Sequence, residues 1–179
     1  MKKILALTAL ALFGAFAFAA DPDTTTTTST GNGFSASSDA SAIYYNKTWG
    51  TGTHITETLD FLDFGATKAN HVYIEGHEII ATTAGFNIYA GGIGVEPDLS
   101  ALFKKTNIGT SNLGVEIYAA IGNGIPTNGS SHVSEIAGGQ FKYKATSALT
   151  WNALQGAVIR IGSQNGYSIS TGLSFIFGK

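Results

Sequence analysis

No cysteine occurs anywhere in the 179-residue chain. Disulfides, a common reinforcement of small exported domains, are therefore excluded. So is a lipoprotein, which needs a cysteine at the point of signal cleavage. Charge is scarce as well. Asp, Glu, Lys and Arg make up 12% of the chain, about half the ~25% of ordinary globular proteins. Basic runs are missing, which leaves no footprint for nucleic acid. Long apolar runs are missing too, except near the N-terminus. There, Ile4 to Phe18 is predominantly apolar for 15 residues, short of the roughly 20 that a bilayer-spanning helix needs. No later stretch approaches the ~18 apolar residues of a candidate helical span. A mature chain that enters a membrane must then do so as a closed barrel, the other structure that satisfies every backbone group in lipid.

What is present begins with an export signal. Lys2 and Lys3 precede the apolar stretch, and Ala17-Phe18-Ala19-Ala20 supplies small residues before Asp21-Pro22-Asp23. This order predicts a secretory signal peptide over residues 1–20, cleaved after Ala19 or Ala20. Its removal leaves 8 basic against 12 acidic residues, a net charge of −4. Residues 21–41 are low in complexity, with Thr24 to Thr28 in a row and then a Ser/Gly/Asn/Ala stretch. They read as a disordered leader. Residues 42–179 are left for one β domain. The 23 glycines of the whole chain exceed the usual share of about 7%. A barrel with a crowded lumen would use them, and so would a glycine-rich soluble β-protein.

Turn residues recur at short intervals along this domain and predict eight strands, at 41–49, 53–64, 70–80, 85–95, 112–122, 132–145, 149–162 and 166–177. Asn123-Gly124, Asn128-Gly129 and Asn165-Gly166 are dipeptides that tolerate positive φ. Asn165-Gly166, between two alternating runs, predicts a hairpin. Residues 96–111 form the longest connection, in which Leu99 to Lys105 reads as a short helix. The stretch Thr58 to Phe64 changes phase between Leu59/Phe61 and Leu62/Phe64, which predicts either a bulge or a miscounted strand there.

The last strand is the most informative. Tyr167, Ile169, Leu173, Phe175 and Phe177 alternate with Ser168, Ser170, Gly172 and Ser174. Side chains alternate across a strand, so one face is apolar and the other small and polar. Other strands repeat the contrast. Leu113, Val115, Ile117, Ala119 and Ile121 oppose Gly114, Glu116, Tyr118 and Ala120. Phe141 and Tyr143 oppose Gln140, Lys142 and Lys144. Ala157, Ile159 and Ile161 oppose Gly156, Val158 and Arg160. Val72 and Ile74 oppose His71, Tyr73, Glu75 and His77. If the apolar faces point outward, Glu75, Glu116, Lys142, Lys144 and Arg160 converge in the lumen. Buried charges there should pair, with Glu116, Lys142 and Arg160 as a shared plug. Tyr44, Tyr45, Trp49, Tyr143, Trp151, Tyr167, Phe175 and Phe177 lie near strand ends, as interfacial girdles would.

This pattern over residues 41–179 resembles the small eight-stranded outer-membrane β-barrels of Gram-negative bacteria, chiefly through the C-terminal strand. Family members commonly end in an aromatic residue preceded by apolar residues at every second position. Phe177, Phe175, Leu173, Ile169 and Tyr167 follow that pattern, with Gly178-Lys179 beyond it. The resemblance implies an all-β, antiparallel up-and-down barrel in the outer membrane. It implies membrane lipid and the barrel assembly machinery as partners. The implied work is surface display, envelope integrity or limited passage, and an eight-stranded lumen is only wide enough for side chains. Loops, chiefly residues 123–131, would carry any display; no extracellular partner is indicated. Two other readings stay open: a soluble exported barrel holding an apolar ligand among Ile169, Leu173, Phe175 and Phe177, and a secreted or virion-associated structural β-protein.

Signatures of catalysis are absent. The chain has no Gly-x-Ser-x-Gly elbow, so Ser130-Ser131-His132 is no triad element. It has no phosphate-binding Gly-x-x-x-x-Gly-Lys-Ser/Thr loop. His71, Glu75 and His77 share one strand face, but 71 and 77 lie about 20 Å apart at the rise of a strand. They read as a polar lumen rather than a metal site. Asp60 and Asp63, three apart, fall on opposite faces of a regular strand and read as a surface pair. The expectation is a non-enzyme without cofactor or metal.

Overall fold

A computed structural model of the protein describes residues 33–64, 70–99 and 112–177. The expected signal peptide, residues 21–32 of the leader, residues 100–105 of the expected helix and Gly178-Lys179 lie outside them. Eight strands form one closed antiparallel barrel in sequence order: β1 (Phe34–Tyr45), β2 (Thr48–Phe64), β3 (Asn70–Ala81), β4 (Phe86–Glu96), β5 (Leu113–Pro126), β6 (His132–Lys144), β7 (Leu149–Ile161) and β8 (Gln164–Phe177). Closure rests on β1, which pairs with β2 from Phe34↔Leu59 to Tyr45↔Thr48 and with β8 from Phe34↔Phe177 to Tyr45↔Gly166. No edge strand is left to recruit another chain.

β1 corrects two boundaries. Residues 34–41, read as leader, are strand, and the strand expected at 41–49 instead ends at Tyr45. The turn is Asn46-Lys47, both with positive φ (49° and 64°). Such a two-residue turn matches the twist of the strands it joins, but it lacks the glycine that would announce it. The hairpin expected at Asn165-Gly166 also shifts. The turn is Gly162-Ser163, with Gly162 at φ 57°, while Asn165 and Gly166 pair with Arg160 and Ile159 inside the sheet. Asn123-Gly124 likewise lies within β5, opposite Val133 and His132.

Two bulges set the phase of β2 and β7. In β2, Asp60 pairs with Tyr73 but Leu62 with Val72, so Phe61 is the extra residue, inside the stretch where the phase change was expected. In β7 the ladder shifts between Asn152 and Gln155. Each bulge exchanges the two faces beyond it.

The faces divide sharply. Among the described residues, twenty large apolar side chains are exposed on the outside, including Ile74, Ile93, Ile121, Phe141, Leu154 and Ile169. Monomers in water rarely expose a contiguous apolar surface beyond a few hundred Å². Outward charges among the described strand residues are limited to Glu57, Glu78 and the cross-strand pair Glu135–Arg160 (3.7 Å). Aromatics gather at both rims. At the hairpin rim Tyr44 meets Trp49 (ring centroids 5.2 Å) and Tyr167 (6.4 Å); at the terminus rim Phe34 meets Phe177 (6.1 Å). Tyr45, expected among them, instead points inward against Phe86 (4.6 Å), because it alternates with Tyr44.

The hairpin half of the interior is an apolar core of Ile43, Tyr45, Ile79, Phe86, Ile88, Tyr118, Ile136, Ile159 and Ile161, with Ala81, Ala120 and Ala157 buried among them. Glycine opens the space that large groups need. A Cβ on Gly138 would press into the Tyr118 ring, 2.6 Å from Cζ, and one on Gly94 would lie 2.7 Å from Glu75 Oε1 and 2.9 Å from Glu116 Oε1.

Candidate functional site

Below the apolar core the interior turns polar, and it opens at the rim that carries the termini. Its innermost layer is a chain of rings and acids. His54 Nε2 lies 3.1 Å from His77 Nδ1, and His77 Nε2 lies 3.1 Å from Glu75 Oε2. Tyr118 stacks on the His77 ring (4.9 Å, 26°). All four are buried. Beside them Asn152 Nδ2 donates to both oxygens of Asp39 (3.0 and 3.3 Å), and Ser170 Oγ donates to Gln155 Oε1 (2.8 Å).

One cation organises the next layer. Lys142 pairs with Glu116 and with Glu96 Oε2 (3.1 Å), and its ammonium sits 4.9 Å from the centre of the Tyr73 ring. Lys144 reaches Glu96 Oε1 (3.3 Å), and the Tyr73 hydroxyl donates to Glu96 Oε2 (3.1 Å). The mouth beyond is a cavity of about 190 Å³ lined by Thr58, Asp60, His71, Tyr73, Lys142 and Lys144 among others.

Of the five residues placed in the lumen from sequence, Glu75, Glu116, Lys142 and Lys144 lie inside. Arg160 does not. It faces outward, pairs with Glu135 and donates from Nε to the Gly162 carbonyl (2.9 Å). The plug of Glu116, Lys142 and Arg160 is therefore corrected to Glu116, Lys142 and Glu96. The reason is the β7 phase: Ala157, Ile159 and Ile161, expected outside, build the apolar core. Glu96 escaped notice because it was assigned to the long connection, and Asp39 because it was assigned to the leader. His54 carried no signal of its own. Tyr167, Ile169, Leu173, Phe175 and Phe177 all lie exposed on the outer face. An apolar ligand held among Ile169, Leu173, Phe175 and Phe177 inside the barrel is thereby ruled out.

The architecture is thus a closed eight-stranded barrel, apolar outside, with an apolar core toward the hairpin end and a polar interior toward the other. No protein-family model matches the chain, and no curated protein matches its sequence. Solved structures do share the fold. Neisserial surface protein A (NspA) superposes with a TM-score of 0.53 at 11% identity, over 84% of this chain and 99% of that one. Ail, the attachment invasion locus protein of Yersinia pestis, gives 0.46 at 10% identity, over 82% and 97%. A de novo designed transmembrane β-barrel gives 0.41 at 10% identity, over 84% and 100%. By its closed eight-stranded topology and its likeness to NspA, the chain has the fold of the small eight-stranded outer-membrane barrels.

Proposed function

We propose that the protein is a non-conducting outer-membrane barrel that serves envelope integrity, with its apolar outer face in lipid and its polar mouth toward the periplasm. The observation that carries this reading is the pairing of an apolar outside with an interior filled by side chains. Lipid is the environment in which twenty exposed large apolar groups are stabilised rather than penalised. The apolar core toward the hairpin end interrupts the polar interior, which argues against limited passage. Display through loops finds little support either. The hairpin connections are residues 46–47, 82–85, 127–131 and 162–163, at most five residues each. The long connection, residues 97–112, belongs to the rim of the termini, the reverse of the usual arrangement of short periplasmic turns and long outer loops. The reading is of a structural, non-enzymatic component.

Planar-bilayer recording tests the sealed interior. Purified folded barrel should give no unitary conductance above the bare bilayer, whereas a variant that thins the core, Tyr45→Ala with Phe86→Ala, should admit ions. Steady channels from the unaltered protein would overturn the sealed reading.

A further inference from the structure

The β2 bulge has a chemical consequence. Asp60 and Asp63 would face opposite sides of a regular strand. With Phe61 bulged out, Asp60 stands opposite Tyr73 and Asp63 opposite His71, and both carboxylates turn inward. They meet the imidazole of His71 there. His71 Nδ1 lies 2.5 Å from Asp63 Oδ1 and 3.8 Å from Asp60 Oδ2. One ligand atom from each of the three residues lies within 4.8 Å of the others.

We propose that Asp60, Asp63 and His71 form a binding site for a divalent transition cation, zinc-like in its preferences, at the mouth of the barrel. Two carboxylates with one imidazole suit such an ion, at metal–ligand distances of about 2.0–2.2 Å. Ligand atoms around a tetrahedral ion at those distances stand about 3.4 Å apart. The two separations from His71, 2.5 and 3.8 Å, bracket that value. Three further observations point the same way. Asp60 Oδ1 is buried and has no hydrogen-bond partner among the described residues, which leaves that carboxylate with spare capacity. No lysine or arginine among the described residues pairs with either aspartate; the nearby Lys142 and Lys144 are held by Glu116 and Glu96. The His71 ring lies flat against Tyr73 (5.9 Å, 13°), which fixes its plane. The cluster borders the open cavity, which gives an ion a way in and leaves its remaining positions to water.

Cobalt(II) is the probe, because its visible absorption reports ligand number and geometry. Metal-free barrel folded in detergent should take up one equivalent, displaced by zinc. Asp63→Asn and His71→Gln should each weaken uptake by about tenfold or more, a loss of the size seen when a metal site's supporting groups are removed. Glu57→Gln, on the outer face, should leave uptake unchanged. Heat-dependent mobility on a detergent gel establishes that each variant is folded. Folded barrel that binds no cobalt, or binds it as well in both site variants, would overturn the proposal without touching the reading of the barrel as a membrane protein.

Discussion

Replacing Lys142 with methionine is expected to destabilise the folded barrel by about 3–5 kcal/mol, the cost of breaking a buried ion pair from one side. Its ammonium answers both Glu116 and Glu96, whose side chains are 1% and 7% exposed, and is itself 13% exposed. Methionine fills much of the same volume, so the loss is one of charge and not of packing. Adding Glu116→Gln should recover part of it, because one stranded carboxylate is then neutral. Lys47→Met, in an exposed hairpin turn, should stay within about 0.5 kcal/mol. The readout is the denaturant midpoint of the detergent-folded protein. A Lys142 variant as stable as the parent would mean that the interior charges are hydrated rather than paired.

The second large effect concerns the outer face. Ile169, near the middle of β8, is 52% exposed between Ala42 and Gly156 of its neighbouring strands. Ile169→Arg should cost about 2–4 kcal/mol in a lipid bilayer, as arginine does near the midplane of a barrel. In water an exposed isoleucine on a sheet tolerates the same change within about 0.5 kcal/mol. Unfolding in lipid vesicles therefore separates the two environments through one side chain. An equal stability for Ile169→Arg in vesicles would remove lipid from that face.

The sequence revealed the eight strands where alternation was strong and failed where an interior residue could be apolar or a strand could be bland. β5, β6 and β8 were legible because their outward faces carry Leu, Ile, Phe and Tyr while their inward faces carry Gly, Ser or a charge. β1 was not, because its outer face from Ala36 to Ala42 is alanine and serine and resembles a linker. It becomes a strand through pairing with two partners at once. β7 misled for a different reason. Ile159 and Ile161 fill an apolar core at the hairpin end, so an isoleucine does not by itself report the lipid side. That error carried Arg160 into the lumen. The cluster of Asp60, Asp63 and His71 was hidden for a geometric reason. The phase change in Thr58 to Phe64 was visible, but its effect, two carboxylates three apart on one face, follows only once Phe61 is known to be the bulged residue. Glu116 and Lys142 were legible because a charge opposite an alternating apolar face has few places to go except inward, toward an opposite charge.

The most direct test is to fractionate the cells that make the protein and run the outer-membrane fraction on an SDS gel with and without boiling. The account predicts that the protein is found in that fraction, leaves it only with detergent, and migrates differently until heat opens the closed ladder of hydrogen bonds. Release into a detergent-free periplasmic extract, with the same mobility before and after boiling, would contradict the claim that its apolar face is built for lipid.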